Sequence, residues 1–185
     1  DGLLVRPGKM LLTGKSGIGK SYLAHQMAYD LALGQKLLGT YSLKRPLRTL
    51  YLQLEIAEAL LARRAKRIET VYDRPVGLYT ASPESFLLRN GAAELETQIG
   101  EYGFEALVLD PIYLMHGGSE IAQEDVLPSL LVVNELLMRH ELLVIIVAHE
   151  KKPSFDKGVE ANTGLHSISG HHSLTDWPDT ISMVS

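Results

Sequence analysis

The sequence predicts an α/β fold: a mostly parallel central sheet with helices on both faces. Two observations carry this. Strand and helix signals alternate from end to end, without a repeat or a low-complexity tract. In addition, Ala106-Leu107-Val108-Leu109 and the run from Leu142 to Ala148 are almost unbroken apolar stretches. Such runs mark strands covered on both sides, as in a parallel sheet between helical layers.

Taken in order, the first strand is expected at 9–13, where Met10-Leu11-Leu12 is apolar. The first helix follows at 20–33, with apolar residues at helical spacing and Gly34 as its stop. Further strands are expected at 48–54, 76–80, 105–110, 142–148 and 179–184, and further helices at 56–69, 91–102, 124–140 and 167–176. Two segments interrupt the alternation: 111–123, which contains Gly117-Gly118, and 151–169, with Pro153, Gly158 and Gly164. Irregular segments of that length in a compact domain are commonly functional. Both follow presumed central strands, so both should lie at the carboxyl edge of the sheet, where open parallel sheets bind ligands.

At 185 residues the chain has room for one domain with a substantial core. It opens at Asp1 and closes in a strand-like alternation, Thr180 to Ser185. The expectation is a single domain, 1–185, cut from a longer protein whose final strands lie beyond the C-terminal side. No stretch is apolar enough for a transmembrane helix, and no signal peptide is visible. The absence of cysteine excludes disulfides and thiolate metal sites and fits a reducing interior, so the expected location is the cytoplasm. A net charge of −4 provides no global attraction for nucleic acid, so any such binding needs a local basic patch or loop.

The most specific signal is Gly14-Lys15-Ser16-Gly17-Ile18-Gly19-Lys20-Ser21, which satisfies GxxxxGK[ST] between an apolar strand and an amphipathic helix. Gly14, Gly17 and Gly19 allow positive φ and let backbone N–H groups approach phosphate oxygens. The helix adds its N-terminus to the same anion. Lys20 is spaced to reach the β and γ phosphates of a nucleoside triphosphate, and the Ser21 hydroxyl to ligate magnesium.

Asp110 ends the 105–110 strand. It is either a magnesium carboxylate, acting directly or through water, or a cap on the next turn. Glu55 follows Leu50-Tyr51-Leu52-Gln53-Leu54. It could orient and deprotonate an attacking water, or it could charge the first turn of a helix beginning near Ile56. His149, at the tip of the 142–148 strand, is either a contact to the γ-phosphate or a surface histidine. Arg63, Arg64, Lys66 and Arg67 are expected on a solvated helix face. His171-His172 lacks a complementary ligand set and is read as non-metal.

In order, GKSGIGKS, LQLEI, LVLDPIY and VAHEKK, then a loop and SISGHHSLTDWPDTISMV, resemble the RecA-fold P-loop ATPases. Within them the chain is most similar to RepA-like hexameric helicases and their AAA-domain relatives, and more distantly to DnaB, RadA and KaiC. The resemblance covers almost the whole chain. It implies ATP and Mg2+ as cofactors, with residues 14–21 as the nucleotide loop, Glu55 as the water-activating glutamate and Asp110 as the magnesium carboxylate. It implies His149 as a γ-phosphate sensor on a strand between those of the loop and of Asp110. It also implies a ring homo-oligomer, typically a hexamer, acting on single-stranded DNA, with Lys151, Lys152 and Lys157 as candidate DNA contacts and no membrane partner. RadA-like recombination and KaiC-like regulation without nucleic acid are the alternatives. Glu150 stands where relatives often carry a second histidine, and the neighbour's arginine finger is expected beyond Ser185.

Overall fold

A computed structural model of the protein describes residues 5–117, 123–149 and 173–185. Its elements are β1 (Gly8–Gly14), α1 (Lys20–Leu33), β2 (Thr49–Gln53), α2 (Glu58–Ile68), β3 (Leu78–Ala81) and α3 (Leu88–Tyr102), then β4 (Ala106–Asp110), α4 (Tyr113–His116), α5 (Gln123–His140), β5 (Leu143–Val147), α6 (Ser173–Asp176) and β6 (Thr180–Val184). The strands form one six-stranded sheet in the order β3-β2-β4-β5-β1-β6. Every neighbouring pair is parallel.

The connections explain why both faces are covered. From β1 to β2 and on to β3 the chain moves toward one edge of the sheet; from β3 through β4 and β5 to β6 it moves back. Right-handed crossovers place the helices of opposite moves on opposite faces. Accordingly, α1 and α2 share a core with Met10, Leu12, Tyr51, Val108, Ile145 and Val147. Helices α3, α5 and α6 pack on Leu11, Leu50, Leu52, Leu107, Leu109, Val144 and Ile146. These sets alternate along each strand, as a period of two requires. β2, β4 and β5 are buried at every position, as their apolar composition predicts.

Several boundaries differ from the sequence expectation. α2 begins at Glu58, because residues 54–56 are taken up in a turn tied to neighbouring strands. α3 begins at Leu88, whose side chain is fully buried and fixes the first turn. The expected irregular segment at 111–123 contains α4, whose Met115 lies in the core. Of the helix expected at 167–176, Ser173–Asp176 is described and helical. The apolar stripe of α5 is core at Val126, Leu130, Val133, Leu136 and Leu137, but Leu131 and Met138 face solvent. Among the described residues, no helix is long and apolar enough to cross a membrane.

The carboxyl ends of the strands are laced by backbone hydrogen bonds. Ala148 N–H donates to Leu12 O, Ile112 N–H to Val147 O, and Leu54 N–H to Asp110 O, each at 3.0 Å. The residues just beyond β2, β4 and β5 are thus held in register with the end of β1. β1 leads into α1 on one face of the sheet and β4 into α4 on the other, the divergence at which open parallel sheets bind ligands.

Candidate active site

β1 stops at Gly14 and α1 starts at Lys20, so the glycine-rich run is the turn between them. Gly14, Gly17 and Gly19 have φ of 152°, 80° and 103°. Their surroundings differ. A Cβ at Gly17 or Gly19 would meet nothing within 4 Å, whereas one at Gly14 would lie 2.4 Å from Val184 O. Gly14 is demanded by its pairing with β6; Gly17 and Gly19 keep the hollow of the loop clear. Lys15, Ser16, Gly17 and Ile18 are exposed around that hollow. Lys20 is buried, and its Nζ donates to Gly14 O at 2.7 Å and Lys15 O at 2.8 Å. The ammonium therefore lies inside the turn it would share with phosphate oxygens.

The tertiary fold brings Asp110 to the start of α1, across 89 residues of sequence: Ser21 Oγ donates to Asp110 Oδ1 at 3.1 Å. Tyr51, on the same face of β2, donates its hydroxyl to Asp110 Oδ2 at 2.5 Å, and its oxygen lies 3.3 Å from Ser21 O. Asp110 is fully buried. Burial pushes its carboxyl above the ordinary value, while the Tyr51 and Ser21 hydroxyls pull the other way; nearby Glu55 adds to the rise and Arg64 opposes it. Burial also drives the Tyr51 phenol well up, with the Asp110 charge adding to it.

Glu55 is exposed beyond the end of β2, on the turn that joins β2 to α2. It stands ahead of the helix rather than in it: the acidic residue of the first turn of α2 is Glu58. Three hydrogen bonds fix this turn. They are Leu54 N–H to Asp110 O at 3.0 Å, Ile56 N–H to Gln53 Oε1 at 2.8 Å, and Ser82 Oγ–H to Ile56 O at 2.5 Å. His149 follows β5, with its ring 5.5 Å from that of Tyr113 on α4. Its Nδ1 is buried without a hydrogen-bond partner among the described residues, as are Thr13 Oγ1 and Gln53 Nε2 at the ends of β1 and β2. Buried polar atoms are normally paired; these three lie near the carboxyl edge, Thr13 on the Leu11 side of the sheet and Gln53 on the Tyr51 side.

Four residues near the site were not singled out for it from sequence. Tyr51 and Gln53 alternate with Leu50, Leu52 and Leu54 and fall on the face that carries Asp110; three polar residues, Thr49, Tyr51 and Gln53, on one side of the strand were the available signal. His25, buried in α1, stacks on Tyr51 at 4.6 Å and 15°. Burial, then the charge of Arg64, lowers its pKa to about 4, so the ring is neutral at pH 7. Arg64 departs from the expected solvated face. Its guanidinium lies 4.5 Å over the Tyr22 ring, and its Nη1 is buried without a hydrogen-bond partner among the described residues. Arg63, Lys66 and Arg67 are exposed as expected. Glu150, Lys151, Lys152, Lys157 and His171-His172 lie outside the described residues, and so do the DNA-contact candidates as a group.

The residues fit magnesium and a nucleotide. Ser21 and Asp110 offer hard oxygen donors side by side, next to a cleared hollow and a buried ammonium.

A family model described as an AAA domain matches residues 1–154. Among solved structures, a KaiC-like protein from the hyperthermophilic archaeon Pyrococcus horikoshii OT3 superposes with a TM-score of 0.56 at 18% identity, covering 79% of this chain and 62% of its own. No curated protein sequence matches. With its phosphate loop between β1 and α1 and its parallel sheet matching a KaiC-like structure, the chain belongs to the AAA-domain family and has the RecA-like fold of the P-loop ATPases.

Proposed function

We propose that this chain is a magnesium-dependent ATPase that works as a subunit of a ring, a hexamer by its resemblance, and couples hydrolysis to translocation on, unwinding of or remodelling of single-stranded DNA. Hydrolysis rests on one observation above all: the fold gathers Lys20, Ser21 and Asp110 at one edge, with Glu55 on a turn pinned to the same strand end. The loop N–H groups and the α1 N-terminus bind the phosphates. Lys20 exchanges its carbonyl partners for phosphate oxygens. Ser21 and Asp110 would hold magnesium, which when bound supplies charge neutralisation on the phosphates. Glu55, exposed on its pinned turn, orients the attacking water and accepts its proton. His149 sits where loss of the γ-phosphate could be passed through Tyr113 to α4.

The ring and the DNA rest on the resemblance of the ordered motifs. A head-to-tail ring would let a neighbour complete the exposed side of the Glu55 turn, and Lys151, Lys152 and Lys157 would contact the DNA backbone. The test is steady-state ATP hydrolysis by the full-length protein with magnesium, with and without single-stranded DNA, and with Lys20→Ala as the blank. Turnover stimulated by DNA and lost in Lys20→Ala is expected. Lys20-dependent turnover indifferent to DNA would replace the motor with a KaiC-like regulatory ATPase, and turnover that survives Lys20→Ala would end the ATPase assignment.

A further inference from the structure

We propose that Tyr51 is a positioning residue for the magnesium site: its hydroxyl fixes one oxygen of Asp110 while the other faces Ser21, and His25 fixes the Tyr51 ring. The inference rests on the Mg–ATP reading above and adds to it a residue that touches neither metal nor nucleotide.

The geometry is specific. Asp110 is fully buried on a central strand, and each of its carboxylate oxygens has a hydroxyl partner, Ser21 at 3.1 Å and Tyr51 at 2.5 Å. A carboxylate held by both oxygens cannot turn about its Cβ–Cγ bond without losing a charge-assisted hydrogen bond. Packing alone does not require the Tyr51 oxygen. A phenylalanine would fill the same space and keep the same stack on His25, so the O–H is the part that serves Asp110.

The ring is itself immobilised. Tyr51 is fully buried, with His25 parallel to it at 4.6 Å, and Tyr29 meets His25 edge-on at 5.4 Å and 63°. The Tyr29 hydroxyl in turn donates to Glu69 Oε1 at 3.0 Å, just beyond α2. Neither nitrogen of His25 has a hydrogen-bond partner among the described residues. What His25 contributes is therefore a flat plate rather than a hydrogen bond. A stack of this kind sets the position of the phenol oxygen as closely as it sets the ring.

Groups that orient a metal ligand matter nearly as much as the ligand. Their removal commonly costs about 10- to 100-fold in metal affinity.

The test is a magnesium titration of fluorescent mant-ADP binding to the full-length protein, which reads metal affinity without turnover. For Tyr51→Phe the half-saturating magnesium concentration should rise about tenfold or more. Its mant-ADP affinity in EDTA should match wild type, because Lys20 and the loop are untouched. His25→Ala should shift the magnesium midpoint in the same direction although the Tyr51 hydroxyl remains, and His25→Phe, which restores a flat ring, should return it toward wild type. A folded Tyr51→Phe whose midpoint stays within about twofold of wild type overturns the proposal. Should Tyr51→Phe fail to fold, the His25 pair decides: equal midpoints for Ala and Phe overturn it. A wild-type protein that binds no mant-ADP with magnesium removes the Mg–ATP reading as well, whereas failure confined to the variants leaves that reading in place.

Discussion

Gln53 offers the sharpest test of how the site is built, because it reaches Glu55 only through the backbone. Its Oε1 accepts the Ile56 N–H at 2.8 Å, while its Nε2 is buried with no hydrogen-bond partner among the described residues. Gln53→Leu keeps much of the bulk and removes that acceptor. The Ile56 N–H is then left partly buried and unpaired, which costs about 1–3 kcal/mol unless the turn moves to find water. Such movement shifts Glu55, one residue away, and a misplacement of about 1 Å at a reacting group can cost on the order of 10²-fold in rate. The expected result is kcat lowered by about 10- to 100-fold, with the KM for ATP nearly unchanged because the phosphate loop is not involved. Steady-state ATPase assays would read this, with mant-nucleotide binding and thermal denaturation in parallel. Glu55→Gln alone should lower turnover by about a hundredfold. The double variant should then be no slower than Glu55→Gln, since Gln53 acts through Glu55. Wild-type kcat in Gln53→Leu, or fully multiplicative losses in the double variant, would refute the reasoning.

Two further predictions concern the loop and the opposite edge of the sheet. Gly14→Ala should lower thermal stability, because its Cβ meets Val184 O at 2.4 Å. Gly17→Ala meets nothing within 4 Å and should instead weaken nucleotide binding with a smaller change in Tm; equal effects of the two on Tm would contradict the division of labour among the glycines. At the start of β4, Glu105 accepts from Arg45 at 2.6 and 2.8 Å and from Arg6, and these partners, Arg45 foremost, hold its carboxyl down from 4.5 to about 2 against the opposing effect of burial. A depressed carboxylate contributes stability that is present above its unfolded pKa and lost as pH falls through the folded one. Acid titration of Tm should therefore show a loss between about pH 4.5 and 2 that Glu105→Gln lacks; identical profiles would show the triad to be inert.

Much of the fold was legible because its signals are local. The 105–110 and 142–148 runs announced two-sided burial, and they are the fully buried strands β4 and β5. Gly34 stops α1 at φ 69°, as its position after the last apolar residue suggested. The errors fall where tertiary contacts override local preference. Ile56 and Ala57 carry no signal against helix, yet bonds from Ile56 to Gln53 and from Ser82 to Ile56 hold the chain in a turn until Glu58. Arg64 sits in a run of basic residues that looks uniformly solvated, yet the packing of α2 beside α1 lays it over Tyr22.

The sequence by itself determined the phosphate loop, since eight contiguous residues carry the whole motif, and with it the strand-to-helix turn and the alternation of layers. It also marked Asp110, Glu55 and His149 as strand-end residues. Only the tertiary structure decided which ends are neighbours. Placing β4 and β5 between β1 and β2 sets Asp110 against Ser21, and the parallel register of β2 on β4 puts Gln53 beside Asp110 and brings the Tyr51 hydroxyl to its carboxylate. The physical reason is that a turn is encoded by adjacent backbone conformations, whereas strand order and register arise from burying two apolar faces at once. The local pattern can mark a polar side of a strand, as Tyr51 and Gln53 do on β2, but not which side chain across the sheet it will meet.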